Sequence, residues 1–511
     1  MAFFNDSLNP PMFLPDGVGA KLIPYSNTLP IDISDITYDS PTTQLITLGA
    51  TQAVAPYAGG DRIIISGVGT YYDGEFEVVS STTSEIVYLA VPGGAYPGGG
   101  TVAPKYNWNT NSNWKSYYAN FMRLYNTPNV GSILVAGNLT ATNLDDIVQT
   151  YAVTVQWSQA FGLNQAPDSW AASVTNIANQ LEVPMRGPAL DAFPCNGQFF
   201  LCSYWDTVVF SPINYTTTSA PILGVRQFNQ GRGLLSSNCW ANTDKLVYGI
   251  DARDIWVFDG QDFQGLGNQR VKNWFYDQLD PANYDRVYME TNSQRSQIEI
   301  YYPDMNAVNG VPNKMLSYRY DLDCWNAPRD VDDATFSCES PIFELNGSNW
   351  DPLLSSRTVV YARGVENGNL IQKDQGYAWQ DGSPIDSEFR RDNIKLLKDY
   401  SGKMMVHRIL PEIVNLGAVH NQNNEIPITP GVGSVTVTIE GANSVGSEPD
   451  AINSVAVDVN ATGSANTDNP WAQINQNAYR VNSIVLSNSS NSDIWMCNAT
   501  TWQYTQVEDD R

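Results

Sequence analysis

Residues 245–267, KLVYGIDARDIWVFDGQDFQGLG, place four carboxylates (Asp251, Asp254, Asp259 and Asp262) around two short apolar runs. A second, denser group lies in YDLDCWNAPRDVDDA (320–334), with Asp321, Asp323, Asp330, Asp332 and Asp333. Clustered acids do two kinds of chemistry. A pair flanking a glycosidic bond serves as acid and as nucleophile or base, and several oxygens together hold calcium. Neither stretch carries the D-x-D-x-D-G spacing of an EF-hand loop. Aspartate is also the residue that bonds its own backbone two positions on and so starts turns. Set between strand-like runs, these aspartates read as turn formers, and no catalytic or metal-binding residue is assigned.

The other chemically capable residues are sparse. The two histidines, His407 and His420, have no companion His or Cys at ligand spacing, so a zinc site or a catalytic triad lacks its parts. His407 follows an apolar MMV run and reads as a structural histidine. No G-x-S-x-G elbow, P-loop or H-E-x-x-H motif occurs. The S-x-D-x-G-x-x-W turn of sialidase-like propellers is also missing. The six cysteines (Cys195, Cys202, Cys239, Cys324, Cys338, Cys497) form no C-x-x-C pair and sit in apolar or aromatic surroundings, the pattern of buried free thiols. Trp108, Trp114 and Trp379 have the chemistry to stack on sugars, but such residues more often clamp neighbouring strands. No cofactor is implied.

The elements that would position these residues are strands. The chain has 511 residues, is 11% aromatic and only 16% charged, and is rich in Gly, Pro, Asn, Ser and Thr. That usage favours strands and turns over helices. Modest helix signals lie only at 143–150, 173–181 and 273–279. With 53 acidic against 28 basic residues the net charge is −25. A protein that grips nucleic acid needs a basic face, and the densest basic stretch, FRRDNIKLLKDYSGK (389–403), is interleaved with acids. The start, MAFFNDSLNPPMFLPDG, lacks the basic and apolar regions of a signal peptide, and no segment reaches the length of a membrane span. The expectation is synthesis in a cytoplasm and no stable membrane insertion.

Four regions follow from the rhythm of the chain. Residues 1–30 form an N-terminal segment joining the main domain. Residues 31–105 carry three strand-like runs (63–65, 75–79, 85–89) and a Gly/Pro-rich exit, VPGGAYPGGGTVAP, and predict an inserted small β-sandwich or barrel. Over 106–380 a strand–turn–aromatic strand unit recurs in QFFLCSYWDTVVFSPI, KLVYGIDARDIWVFDG and QIEIYYPDMNAVNGVPNKMLSYRYDLDCW. Its spacing is near the four-strand blade period of a β-propeller, with a pair of β-sandwiches as the competing architecture. Residues 381–511, with strict alternation in GSVTVTIEGAN, predict a C-terminal antiparallel β domain. The fold class is mainly β: a propeller with an inserted small β domain and a C-terminal β domain.

The run from GRGLLSSNCWANTDKLVYGIDARDIWVFDG to SQIEIYYPD (231–304) resembles the tail nozzle proteins of short-tailed bacteriophages (podoviruses), also called tail hub or packaged-DNA stabilisation proteins. The matching parts are a Gly-initiated strand (231–235), a strand–turn–strand ending in Asp-Gly (245–260) and a short segment with an aliphatic residue and a Trp (271–275). An alternating strand before Pro (298–303) and a strand closed by Trp (315–325) complete them. VTVQWSQAFGLNQAPDSW (153–170) and FLCSYWDTVVFS (200–211) look like the preceding blades. The resemblance covers about 106–380, touches the C-terminal region loosely and does not reach 31–105. It implies a structural virion protein and no enzyme: a homo-hexameric ring below the tail adaptor, next to tail fibres or a needle. Through this conduit and gate packaged double-stranded DNA is retained and then leaves. In six copies the acidic charge would repel a polyanion, provided the acids lie within about 8 Å of it at physiological salt. The gate and lumen-lining residues are unknown. The alternatives are a receptor- or glycan-binding tail component acting through 31–105 or 381–511, and a propeller glycosidase or lectin.

Overall fold

The computed structural model describes the chain outside residues 1, 16–21, 92, 110, 112, 128–130, 163–164, 173–175, 214–222, 244, 268, 332–333, 342–357, 365–369, 373–383, 385, 396–401, 416–432, 460–470, 490–494 and 508–511. It is mainly β, in many antiparallel sheets, and divides into two compact units, Met1–Lys373 and Asp374–Arg511.

The first unit opens with a three-stranded sheet (Ala2–Phe4, Met12–Leu14, Ile23–Pro24) and then a six-stranded closed barrel. The barrel strands are Ile31–Ser40, Thr43–Leu48, Arg62–Ser66, Gly74–Ser81, Glu85–Leu89 and Thr101–Pro104. Alternation builds its core. In Arg62–Ser66, Ile63 and Ile65 point inward with Ile46, Ile86 and Val102, while Ile64 faces out. The chain enters and leaves the barrel side by side, because Ser26 and Asn107 form a parallel bridge. At the exit, Gly100 has φ +87° and lies so close to Val68 and the Ser66 carbonyl that a Cβ there would overlap both.

Among the described residues, five antiparallel sheets follow, each made of strands consecutive in the chain. Sheet A holds Trp114–Thr127, Gly131–Asn143, Val148–Trp157 and Asn179–Glu182. Sheet B holds Asp191–Cys195, Gln198–Cys202, Asp206–Pro212 and Leu223–Gln230. Sheet C is shorter: Trp240–Asn242, Val247–Ile250, Ile255–Phe258 and Phe263–Gly265. Sheet D holds Tyr288–Asn292, Gln297–Tyr302, Lys314–Arg319 and Cys324–Trp325, with Arg329–Asp330 paired to its third strand. Sheet E holds Ala334–Pro341, Thr358–Gly364 and Leu370–Gln372.

The sheets pack face to face in chain order. In Gln198–Cys202, Phe199 and Leu201 join a core with Ile133, Val135 and Trp157 of sheet A. Phe200 and Cys202 point the other way, into a core shared with sheets C and D. Sheet D behaves alike: Ile298, Ile300 and Tyr302 face sheet C, whereas Tyr301, with Tyr288 and Met315, packs toward Ala334 of sheet E. A sheet covered on both faces has no polar side, which is why these strands read as continuous apolar runs. The first strands of neighbouring sheets also approach one another, in the pairs A–B, C–D and D–E.

One α-helix, Gln269–Gln278, joins sheets C and D. Val271, Trp274 and Phe275 share its inner face, and Phe275 is fully buried. The helix signal at 273–279 is therefore real, whereas 143–150 and the described part of 173–181 are not helical. At 143–150 the Asn143 side chain accepts the N–H groups of Asp145 and Ile147, and Asp146 turns with φ 63°, so the chain reverses into a strand. At 179–181 the backbone pairs with Val155–Trp157 instead. Tertiary pairing outweighs weak local propensity in both places. Among the described residues no helix is long and apolar enough to cross a membrane.

Among the described residues the second unit contains two antiparallel sheets. One orders Ser387–Ile394, Val481–Asn488, Gly433–Ala442 and Ala451–Val459; the other orders Ala472–Gln473, Lys403–Asn415 and Trp495–Val507. Val406, Ile409, Val435, Val437, Ile439, Ile484 and Leu486 form their shared core.

Candidate functional site

The opening aspartates are built into turns and ion pairs. Asp251 accepts the backbone N–H groups of Arg253 and Asp254 through Oδ1, closing the turn between the second and third strands of sheet C. Arg232 then reaches both carboxylates, 3.0 Å from Asp251 Oδ2 and 2.8 Å from Asp254 Oδ2, and Lys272 of the helix pairs with Asp254 as well. Both acids are nearly buried. Their charge is thus spent inside the fold, so neither contributes to a repulsive outer wall. Asp259 is different: it is exposed, accepts from the N–H groups of Gln261 and Asp262, and its carboxyl is held below the usual range by those backbone bonds. Asp262 itself makes no carboxylate site with the others.

In the second group, Asp321 pairs with Arg319 at 2.6 Å, Asp323 accepts from the Tyr318 hydroxyl at 2.7 Å, and Asp330 pairs with Lys314. Asp332 and Asp333 lie outside the described residues, as do His420 and Trp379. Among the described residues no three His, Cys, Asp or Glu side chains converge as a metal site. His407 bonds the Thr505 hydroxyl at 2.7 Å across the second unit's sheet. Trp108 and Trp114 are buried and pack with Tyr117.

Of the cysteines, Cys195, Cys202 and Cys239 are buried free thiols; burial pushes Cys195 up to about 11 and the other two up to about 12. Cys324 departs from the expectation of burial. It lies in the short last strand of sheet D and is exposed. Cys338 has no described side chain.

What the sequence reading missed is a repeated device in sheets B and C. In sheet B, Ser203 starts the turn and its hydroxyl accepts from the N–H groups of Trp205 and Asp206; Arg186 then clamps the buried Asp206 carboxylate through both Nε and its backbone N–H, each at 2.8 Å. Arg232, Asp251 and Asp254 repeat that arrangement in sheet C. An Arg about twenty residues before a Ser/Asp-x-x-Asp turn was the available signal.

A third ion pair ties the first strands together. Arg123 of sheet A meets the fully buried Asp191 of sheet B in a fork, Nε to Oδ1 at 2.8 Å and Nη2 to Oδ2 at 2.6 Å. Asp191 also accepts from the Asn238 N–H and the Trp240 indole N–H of sheet C, both at 2.9 Å. Arg123 in turn donates to the Asn238 side chain and lies over the Trp240 ring, 5.3 Å from its centroid. Three sheets therefore meet at one carboxylate. Beside this junction opens a cleft of about 820 Å³ between sheets C and D, lined by Arg123, Trp240, Asn242, Lys245, Glu290 and Tyr320 among others. Chemically the junction is a staple, and the cleft is a polar recess with aromatic walls.

No family model and no curated protein matches the chain. Among solved structures it is similar to a structural genomics protein of unknown function from Bacteroides thetaiotaomicron VPI-5482, at 9% identity over 60% of this chain and 73% of that one, with a TM-score of 0.20. It is also similar to Bacteroides ovatus Xyloglucan PUL GH43B, at 7% identity over 94% of this chain and 100% of that one, with a TM-score of 0.22. Likeness at that level carries no argument about architecture or activity.

Proposed function

We propose that sheets A to E are successive blades of a β-propeller and that the chain is a structural protein of a podovirus virion tail. In this reading six copies form the distal nozzle, a conduit and gate beneath the adaptor ring, beside fibres or a needle, that retains packaged DNA and releases it during ejection. The chain acts without catalysis. The observation that carries the reading is the serial order of the sheets. Each is an antiparallel meander of consecutive strands, sheets A to D pack face to face with their chain neighbours, and first strands lie next to first strands in the pairs A–B, C–D and D–E. That is how blades are arranged around an axis. The stretch that resembles nozzle proteins coincides with sheet C, the helix Gln269–Gln278 and the first strands of sheet D, so its motifs fall on one continuous structural segment.

The acidic balance supports passage of DNA rather than its capture. With buried Asp191, Asp206, Asp251 and Asp254 each paired to a cation, the excess acidity belongs to other carboxylates. The test is retention: particles assembled without this chain should lose packaged DNA to added nuclease. Particles that keep their DNA fully protected would exclude the gate.

A further inference from the structure

The six-stranded barrel has two unlike ends. The chain enters at Ile31 and leaves at Pro104 on one of them, since Ile31 pairs with Val102 in an antiparallel ladder. The other end is built from the turn after Ser40, the turn between Ser66 and Gly74, and the loop after Leu89. Thr43 pairs with both Ser40 and Leu89, which sets that turn and that loop side by side. Three large side chains stand out of this far end: Tyr38 is 64% exposed, and Tyr71 and Val91 are each 81% exposed. Among the described residues neither tyrosine ring stacks on another ring or lies under a cation. The charge here has one sign. Asp39 and Asp73 lie at this end, and no Lys or Arg occurs in 38–43, 67–74 or 89–100. Asp39 accepts from the Thr43 hydroxyl and Asp73 from the N–H groups of Val68 and Gly69, so neither carboxylate meets a cation. Arg62 and Lys105, the only basic residues of 31–105, are spent on Glu75 and Glu77.

Each property narrows the occupant. A closed barrel has no free strand edge, so contact at its end is made by side chains and not by strand addition. Exposed aromatic and aliphatic groups gain most from burial against an apolar protein surface. Carboxylates without a cation attract a basic surface. They repel DNA, anionic lipid and the same end of a second copy. We propose that the far end of the barrel docks a protein whose apolar patch is rimmed by Lys or Arg. Tyr38, Tyr71 and Val91 are buried in that contact, and Asp39 and Asp73 face the partner's cations. The proposal does not rest on the conduit reading, since the whole surface belongs to one barrel of one chain.

The test is calorimetry on the full chain with an amphipathic leucine–lysine peptide as probe. A leucine–glutamate peptide of the same pattern and a lysine-only peptide of equal charge are the controls. The expected result is saturable binding of the probe, at least about tenfold tighter than either control. Tyr71→Ser combined with Val91→Ser should weaken it about tenfold through lost apolar burial. Asp39→Lys should weaken it about fivefold or more through charge. All three residues are exposed, so the variants should keep the parent melting temperature, and an unchanged melt certifies that the loss is local. No binding of the probe, equal affinity for the probe and either control, or binding indifferent to these substitutions in folded variants would each overturn the proposal. So would phosphatidylglycerol vesicles or double-stranded DNA binding through this end, or self-association that the Tyr71 and Val91 substitutions abolish.

Discussion

Replacing Arg123 with Met removes the guanidinium while keeping much of the stem that packs beside Trp240. Asp191 is fully buried, and its two oxygens would lose both arms of the fork. Breaking a buried pair from one side costs about 3–5 kcal/mol, because the remaining charge stays desolvated. Here the carboxylate keeps the N–H groups of Ala192, Asn238 and Trp240, which places the expected loss near the lower end, about 3 kcal/mol. A double-mutant cycle with Asp191→Leu separates the pair from the burial penalty: Arg123→Met with Asp191→Leu should recover part of the single loss, since an apolar pair leaves no stranded charge. The assay is urea unfolding read by tryptophan fluorescence, with hydrogen exchange on the first strands of sheets A to C to localise the effect. A single Arg123→Met variant that loses less than about 1 kcal/mol, or a cycle with no coupling, would refute the account of three sheets held by one carboxylate.

Three other outcomes follow from the same structure. Gly249→Ala would drive a Cβ to 2.2 Å from the buried Trp256 ring, so it should destabilise the first unit by about 1–3 kcal/mol or more in the same urea titration. Native thiol labelling mapped by mass spectrometry should modify Cys324 quickly and leave Cys202 and Cys239 unlabelled until unfolding; fast labelling of either buried thiol would contradict the core packing. The same two thiols set an alkaline limit. Their folded pKa is raised to about 12, so their contribution is complete below the ordinary thiol value of about 8.5 and is lost as pH climbs from there through about 12. Unfolding midpoints should therefore fall across that window, and Cys202→Ser should shrink the slope.

Local features of this chain were legible and distant partnerships were not. Asp259 and Gly260 announce a turn, and Gly260 indeed has φ +95°. Ile63, Ile64 and Ile65 alternate as a half-buried strand requires. The mainly β character and the short helix near Trp274 were likewise readable, because residues three or four apart carry that signal. The junction was hidden for a physical reason: Arg123 and Asp191 are 68 positions apart, and Asp191 sits inside an apolar run where nothing nearby marks it as paired. Sheets buried on both faces erase the alternation that would reveal which side each residue faces. The cleft was equally invisible, since Arg123, Trp240, Glu290 and Tyr320 come from three sheets and a turn. The aspartates first taken up for their chemistry, Asp251 and Asp254, have turned out to be one half of an Arg-clamped turn that sheet B repeats with Asp206.

The central claim concerns assembly, and electron microscopy of the purified chain, alone and mixed with the adaptor ring, addresses it most directly. The account predicts rings of six copies around an open or gated central channel, formed at least when the adaptor is present. Particles that stay monomeric and without a channel in both samples would contradict it.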